Sequence, residues 1–385
     1  MRHFDHLTAD EERGLFSVAP SEFDGADDNA VLAASLGATL YSPATRPALA
    51  KDLARQRAAG VLSSVVCLED AVADDQVEAA ERNAVEQLRD LAAMDVDGPL
   101  VFVRVRRPEQ VATIVAGLGE DLAVLTGFVL PKFTPTTGPA LLEAVVSAAR
   151  ETGQRLRAMP VLESPELAHL ETRRAALLGV RGLLAEHAEH VLSVRVGATD
   201  LSGSFGLRRG RELTVWDLRV VADVIADVVN VFGRAADGGF VVSGPVWEYY
   251  PGPERMFKPQ LRLSPFDRQE ERALRAGLIA GDLDGLIREV VLDRANGLTG
   301  KSVVHPSHVA AVHALSVVTQ EEHADALDVL GRAEGGAAAS AYRNKMNESR
   351  PHAAWAHRVL TRARAFGVAR PETTFVDLLS AALAP

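Results

Sequence analysis

Two short apolar runs each end in a single carboxylate: Pro160-Val161-Leu162-Glu163-Ser164 and Val196-Gly197-Ala198-Thr199-Asp200-Leu201. Burying an unpaired ion is costly, so a carboxylate at the tip of an apolar strand needs water, a partner or a metal. Positions 163 and 200 lie 37 residues apart, a spacing that suits neighbouring parallel strands joined by a crossover helix. Two hard oxygen donors with room for water suit Mg²⁺, which keeps several waters and takes one or two carboxylates. The plainer alternative is local: Glu163 caps a turn and Asp200 caps the next helix.

Bringing two strand tips together requires a sheet. Eight short apolar runs recur along the chain: Ala38–Ser42, Ser64–Leu68, Leu100–Val105, Gly127–Leu130, Ala158–Leu162, Ser193–Gly197, Gly239–Val242 and Ser302–Val304. Helical patterns separate them, at Pro47–Ala59, Asp75–Ala93, Pro108–Leu118, Gly138–Thr152, Pro165–Leu178, Thr214–Phe232 and Leu283–Ala295. Strands alternating with helices of this length imply a parallel sheet. Eight repeats imply a closed (β/α)₈ TIM barrel, whose active site belongs at the C-terminal ends of the strands. The residues there are Ser42-Pro43, Glu69-Asp70, Arg104 and Arg106, Pro131-Lys132, Glu163, Asp200, Trp247-Glu248 and His305-Pro306. A polar group follows nearly every run, with acids and cations both represented, which favours an enzyme.

The chain has 385 residues, room for one large barrel with appendages. The expected division is residues 1–37 as an N-terminal arm and helix, 38–318 as the barrel, and 319–385 as a C-terminal helical extension. The acidic first stretch, Met1–Asp28, reads as a poorly ordered arm or a short outer helix without a signal-peptide core. Asn29–Leu36 reads as a helix stopped by Gly37. The Pro- and aromatic-rich segment Glu248–Phe266 reads as a loop over the barrel mouth. In the tail, Ser307–Val318, Gln320–Glu334 and Pro351–Phe366 read as helices, and Gly335–Ala339 as a hinge.

A formal net charge of −11 argues against a nucleic-acid partner. One cysteine, Cys67, excludes an internal disulfide and reads as buried and inert. No apolar run is long enough to cross a bilayer. These features make a cytoplasmic protein the default expectation.

Several motifs resemble, in order, the citrate lyase β-subunit and malyl-CoA lyase family, the HpcH/HpaI aldolase superfamily. They are Tyr41-Ser42-Pro43-Ala44-Thr45-Arg46-Pro47, Leu68-Glu69-Asp70-Ala71-Val72, Val103-Arg104-Val105-Arg106, Leu130-Pro131-Lys132, Leu162-Glu163-Ser164, Gly197-Ala198-Thr199-Asp200-Leu201, and Gly300-Lys301 with His305-Pro306. The resemblance implies a lyase or aldolase that cleaves or forms a C–C bond of a hydroxyacyl thioester or oxo-acid adduct through an enolate. It implies Mg²⁺, or Mn²⁺, on Glu163 and Asp200. Arg104 would face negative charge on the substrate, and Glu69 and Asp70 would hold metal-bound water, orient Arg104 or move a proton. Arg46, Arg106, Lys132, Ala198 and Thr199 would line the site for a small carboxylate or acyl-CoA. A homo-oligomer, trimer or hexamer, is implied as well.

Alternatives stay open beside each role. Arg104 could be a structural ion pair with Glu69 or Asp70, Asp70 a helix cap, Lys132 a Schiff-base nucleophile or an ion-pair partner, and His305 a packed residue. Arg46, Lys51, Arg106, Arg208 and Arg209 could meet phosphates or simply be solvated. Cys67 and Arg106 stand where the family often has Asp and Asn. The tail segment Lys345–Pro351 loosely resembles one that carries an acid into a neighbour's site in some members, with Glu348 its nearest equivalent. Rival functions are an acyl-CoA thioesterase on the same site and a silent barrel acting as a binding or assembly subunit.

Overall fold

In the computed structural model, which describes residues 1–94, 96–235, 238–250, 283–332 and 335–383, eight parallel strands close into a barrel in chain order. They are strand one (Ala38–Pro43), two (Ser63–Cys67), three (Leu100–Arg104), four (Leu125–Leu130), five (Arg157–Leu162), six (Val194–Val196), seven (Val242–Trp247) and eight (Thr299–Val303). Strand eight closes on strand one, with Ala38 opposite Lys301 and Leu40 opposite Val303. Gly300 permits this seam: its φ is +69°, and a Cβ there would lie 2.6 Å from the Gly37 carbonyl oxygen.

The strands are covered on both faces, which is why they read as unbroken apolar runs. Val65, Phe102, Val129, Met159 and Val161 fill the barrel interior. Val66, Val103, Phe128 and Leu162 pack outward against the helical layer, each such side chain contributing about 1.5–3 kcal/mol. Helices Gly138–Thr152 and Leu283–Ala295 have the expected bounds.

Three readings are corrected. The seventh strand is not Gly239–Val242 but Val242–Trp247. Gly244 and Pro245 depress its strand signal, and its pairing with strand eight shifts register at those residues. The helix expected over Pro165–Leu178 breaks at His169 and resumes as Leu170–Glu186. Gly335–Ala339 is not a hinge: Ala337–Ala339 pairs antiparallel with Met346–Glu348. Of the two readings of the N-terminal stretch, the short helix is the one the structure has. A Thr8–Glu11 capping box starts helix Ala9–Leu15, Phe16–Val18 pairs with Val368–Ala369, and Phe4, Phe16 and Phe23 are buried. The acid-rich count hid those three aromatic anchors.

Helices Gln320–Gly331 and Ser349–Phe366 share a core of Ala326, Val329, Ala356, Val359 and Ala363. The second also packs on helix Asn29–Ser35, which precedes strand one, and Phe366 stacks on His3 at 4.0 Å. The tail therefore covers the N-terminal face of its own barrel, opposite the strand tips. Of the aromatic segment expected over the mouth, residues 251–266 lie outside the described residues. No helix among the described residues is long and apolar enough to cross a membrane.

Candidate active site

Strands two to six deliver the chemistry from their C-terminal tips. Arg104 ends strand three and is largely buried; its NH2 lies 2.9 Å from Glu69 Oε2, 2.9 Å from Glu163 Oε1 and 3.4 Å from Asp70 Oδ2. The ion pair weighed as an alternative for Arg104 thus exists, and it includes Glu163. All three contacts run through NH2, and Arg104 Nε is buried without a partner among the described residues. Lys132 follows strand four with φ +48°, an uncommon left-handed conformation for a non-glycine residue, costing about 1 kcal/mol or more. The Thr137 hydroxyl donates to the Lys132 carbonyl at 2.7 Å. This turn aims the Lys132 amide at Glu163 Oε1, 2.9 Å away, while the ammonium pairs with Glu69 and with Asp70 at 3.3 Å.

Gly197 lies between Glu163 and the short helix that carries Asp200. The Gly197 amide donates to the Leu162 carbonyl at 3.1 Å, and a Cβ on Gly197 would lie 2.2 Å from Glu163 Oε2. Only glycine leaves room for that carboxylate. Asp200 sits one turn further on, in helix Ala198–Gly203.

The electrostatics show a site crowded with acids. Burial pushes Glu163 up to about 7; Arg104 opposes the shift and Asp200 adds to it. Burial and the Asp70 charge raise Asp200. Burial and the Asp70 carboxyl raise Glu69. Burial works against charge on Asp70 too, but its hydrogen bond with Glu69 and the cations Arg104 and Lys132 hold it below the usual range. Burial disfavours the Arg104 charge, yet Glu163 and its other neighbours bind the proton more firmly than in water. A cavity of about 710 Å³ opens beside this cluster, lined by Glu69, Asp70, Arg106, Arg107, Lys132 and Thr136 among others.

The donor set fits a divalent ion. Glu163 Oε1 is engaged by Arg104 and Lys132, whereas no hydrogen bond of a described residue is made to Oε2. Among the described residues, no three His, Cys, Asp or Glu side chains form a metal-holding group. An ion here would rest on the two expected carboxylates and water, a set that suits Mg²⁺.

Other expected residues are placed differently. Arg106 borders the cavity, but its guanidinium ties down the loop after strand two, donating to the carbonyls of Glu69 at 3.0 Å and Val72 at 2.8 Å and pairing with Asp74. Arg46 is held by Asp52, with its NH2 at 2.5 Å. Arg209 is buried and paired with Glu289, so it is no surface phosphate contact. Lys51 and Arg208 are exposed. Ala198 is buried, and the exposed Thr199 donates to Glu248 Oε1 at 3.0 Å. His305 stacks on Tyr250 with ring centroids 5.3 Å apart and shares a hydrogen bond with Ser307. Cys67 is buried, and burial raises its thiol pKa. Glu348 ends a tail strand and its amide donates to His352 Nδ1.

Sequence reasoning missed two interior groups. Arg195 is 1% exposed, lies over the Tyr41 ring and donates to the Ser302 hydroxyl at 2.6 Å. Lys301, named only within a motif, is fully buried and pairs with Glu289 and Asp293 at 2.6 Å each. The signal was available in part: two acids four residues apart on helix Leu283–Ala295 face inward.

A closed eight-stranded barrel with acids and guanidinium clustered on its C-terminal rim defines a TIM-barrel enzyme. Residues 30–368 match the family described as C-C_Bond_Lyase of the TIM-Barrel fold, and the chain belongs to that family of carbon–carbon lyases. No curated protein matches the sequence. A citrate lyase from Burkholderia xenovorans LB400 shares the fold at 16% identity, with a TM-score of 0.59 over 91% of this chain and 96% of its own. CitE from Mycobacterium tuberculosis, solved with magnesium, acetoacetate and coenzyme A, is 22% identical over 86% of this chain and 99% of its own, with a TM-score of 0.49.

Proposed function

We propose that this lyase works with a divalent metal, Mg²⁺ or Mn²⁺, on a small hydroxyacyl thioester or oxo-acid adduct, passing through an enolate. Glu163 and Asp200 would hold the ion, which when bound supplies Lewis acidity at the substrate's hydroxyl or carbonyl oxygen and orients a neighbouring carboxylate. Arg104 does the electrostatic work of the chain itself. Its guanidinium is fixed by Glu69 and Glu163 before any substrate arrives, and its Nε–H has no other acceptor among the described residues. A preorganised, partly desolvated cation of this kind stabilises charge developing on an enolate oxygen. Glu69, raised by burial and by Asp70, is suited to hold a proton that ionised Asp70 would not. Lys132 fixes the orientation of both acids and of Glu163 through its contacts.

The observation that carries this reading is the shared use of Arg104 NH2 by Glu163 and Glu69 while Glu163 Oε2 stays open beside Gly197. Thermal unfolding with and without Mg²⁺ tests it. The protein should be stabilised by Mg²⁺ and Glu163→Ala should not. Product formation from candidate hydroxyacyl thioesters, followed by mass spectrometry, should require the metal. A native protein with no Mg²⁺-linked shift would sink the proposal.

A further inference from the structure

Strand seven ends at Trp247, so Glu248 stands on the same rim as Asp200. Its Oε1 accepts from the Thr199 hydroxyl at 3.0 Å, and its Oε2 lies 3.5 Å from Arg209 Nε. Thr199 immediately precedes Asp200 in the six-residue helix Ala198–Gly203, which begins without a side-chain cap. So short a helix has few internal hydrogen bonds to fix its direction. The Thr199–Glu248 bond ties it to the neighbouring strand.

Glu248 is in turn fixed from below. The Arg209 side chain is 4% exposed. Its guanidinium donates to Glu289 and to the Val246 carbonyl and lies over the Trp247 ring, 5.0 Å from the centroid. Glu289 also takes Lys301 at 2.6 Å and the Val215 amide at 2.6 Å. A run of alternating charges, Asp293, Lys301, Glu289, Arg209 and Glu248, thus leads from the buried base of strand eight to the hydroxyl beside Asp200.

We infer that Glu248, held by Arg209, is a positioning residue that aims Asp200 by tethering Thr199. The inference rests on the metal reading above. Mg²⁺ demands near-ideal octahedral geometry, so a small rotation of the Asp200 helix removes a ligand from its place. The tether itself is a solvent-accessible hydrogen bond, with Thr199 exposed and the Glu248 side chain 23% exposed. Its loss therefore costs the fold little, and the effect falls on the ion.

The test is Mg²⁺ titration calorimetry on the full chain, with metal-free melting temperatures measured in parallel. Glu248→Ala and Thr199→Val should weaken Mg²⁺ binding about tenfold, equivalent to about 1.4 kcal/mol, with melting temperatures near that of the native protein. Glu248→Gln keeps an acceptor and Thr199→Ser keeps the hydroxyl, so both should stay within about threefold of native. Native-like binding by Glu248→Ala and Thr199→Val, in a protein whose Glu163→Ala variant loses the ion, overturns the tether and leaves the metal reading standing. A loss in Glu248→Gln equal to that in Glu248→Ala also overturns it, because charge rather than the hydrogen bond would then be responsible. No binding by the native protein removes both.

Discussion

Gly197→Ala is a one-atom probe of the site. Gly197 has φ −92° and ψ 77°, on the negative side of φ, so the backbone does not forbid a side chain there. The obstacle is steric. The added Cβ would meet Glu163 Oε2 at 2.2 Å, Glu163 Cβ at 2.4 Å and Glu163 Cδ at 3.0 Å. Rotating the carboxylate relieves the first and last overlaps but not the second, because the Glu163 Cβ is fixed to the backbone at the tip of strand five. Strands five and six must then part, against the Gly197–Leu162 hydrogen bond of 3.1 Å. Overpacking of this kind costs about 1–3 kcal/mol. Glu163 would also move off Arg104 and the Lys132 amide, each 2.9 Å away. Misplacement by about 1 Å costs on the order of a hundredfold in rate. Urea unfolding should show the modest stability loss, and Mg²⁺-linked thermal stabilisation should disappear. Gly203→Ala, at the end of the short helix Ala198–Gly203 that follows and with nothing within 4 Å of its added Cβ, serves as the control and should be neutral or stabilising. A Gly197→Ala protein with native Mg²⁺ response would refute the claim that Glu163 and the Asp200 limb share one ion across that glycine.

Lys301→Met should cost about 3–5 kcal/mol in urea unfolding, because it removes the cation that buried Glu289 and Asp293 share and leaves Asp293 without a charged partner among the described residues; a loss below about 1 kcal/mol would show that the buried triad is not holding strand eight. Burial drives His3 and His308 down to about 4 and His313 well below its usual value. Each is neutral in the folded protein and takes up a proton more readily when unfolded, so its contribution is complete above pH about 6.5 and is lost as pH falls towards 4, roughly 3 kcal/mol each for His3 and His308. Asp293, pushed up to about 6 mainly by burial, works in the opposite direction over part of that range. His3→Phe, which preserves an aromatic stack on Phe366, should flatten the decline of melting temperature between pH 6.5 and 4; an unchanged slope would exclude His3 as a source of it.

Much of the barrel is legible in the residues because its strands are buried on both faces and its helices on one. Those patterns survive in one dimension, as in Leu100–Arg104 and Gly138–Thr152. Strand seven is not legible, since Gly244 and Pro245 carry little strand signal and are held there by their neighbours. Glu69, Arg104, Lys132, Glu163 and Asp200 are each legible as polar tips of apolar runs. Their mutual contacts are not, and those contacts add Glu163 to the acids that share Arg104 with Glu69 and Asp70. Arg106, Arg46 and Arg209 look alike as charges in a string of letters. Only their positions separate the loop tie, the Asp52 pair and the buried anchor under Glu248.

What the amino-acid sequence determines by itself is the alternation of strand and helix and the polar residue at each strand end, because both follow from local periodicity and from the cost of burying charge. What tertiary structure alone decides is which charges face one another. Coulomb energy and hydrogen bonding depend on distance through space, and residues 104, 163 and 69 become neighbours only when the barrel closes.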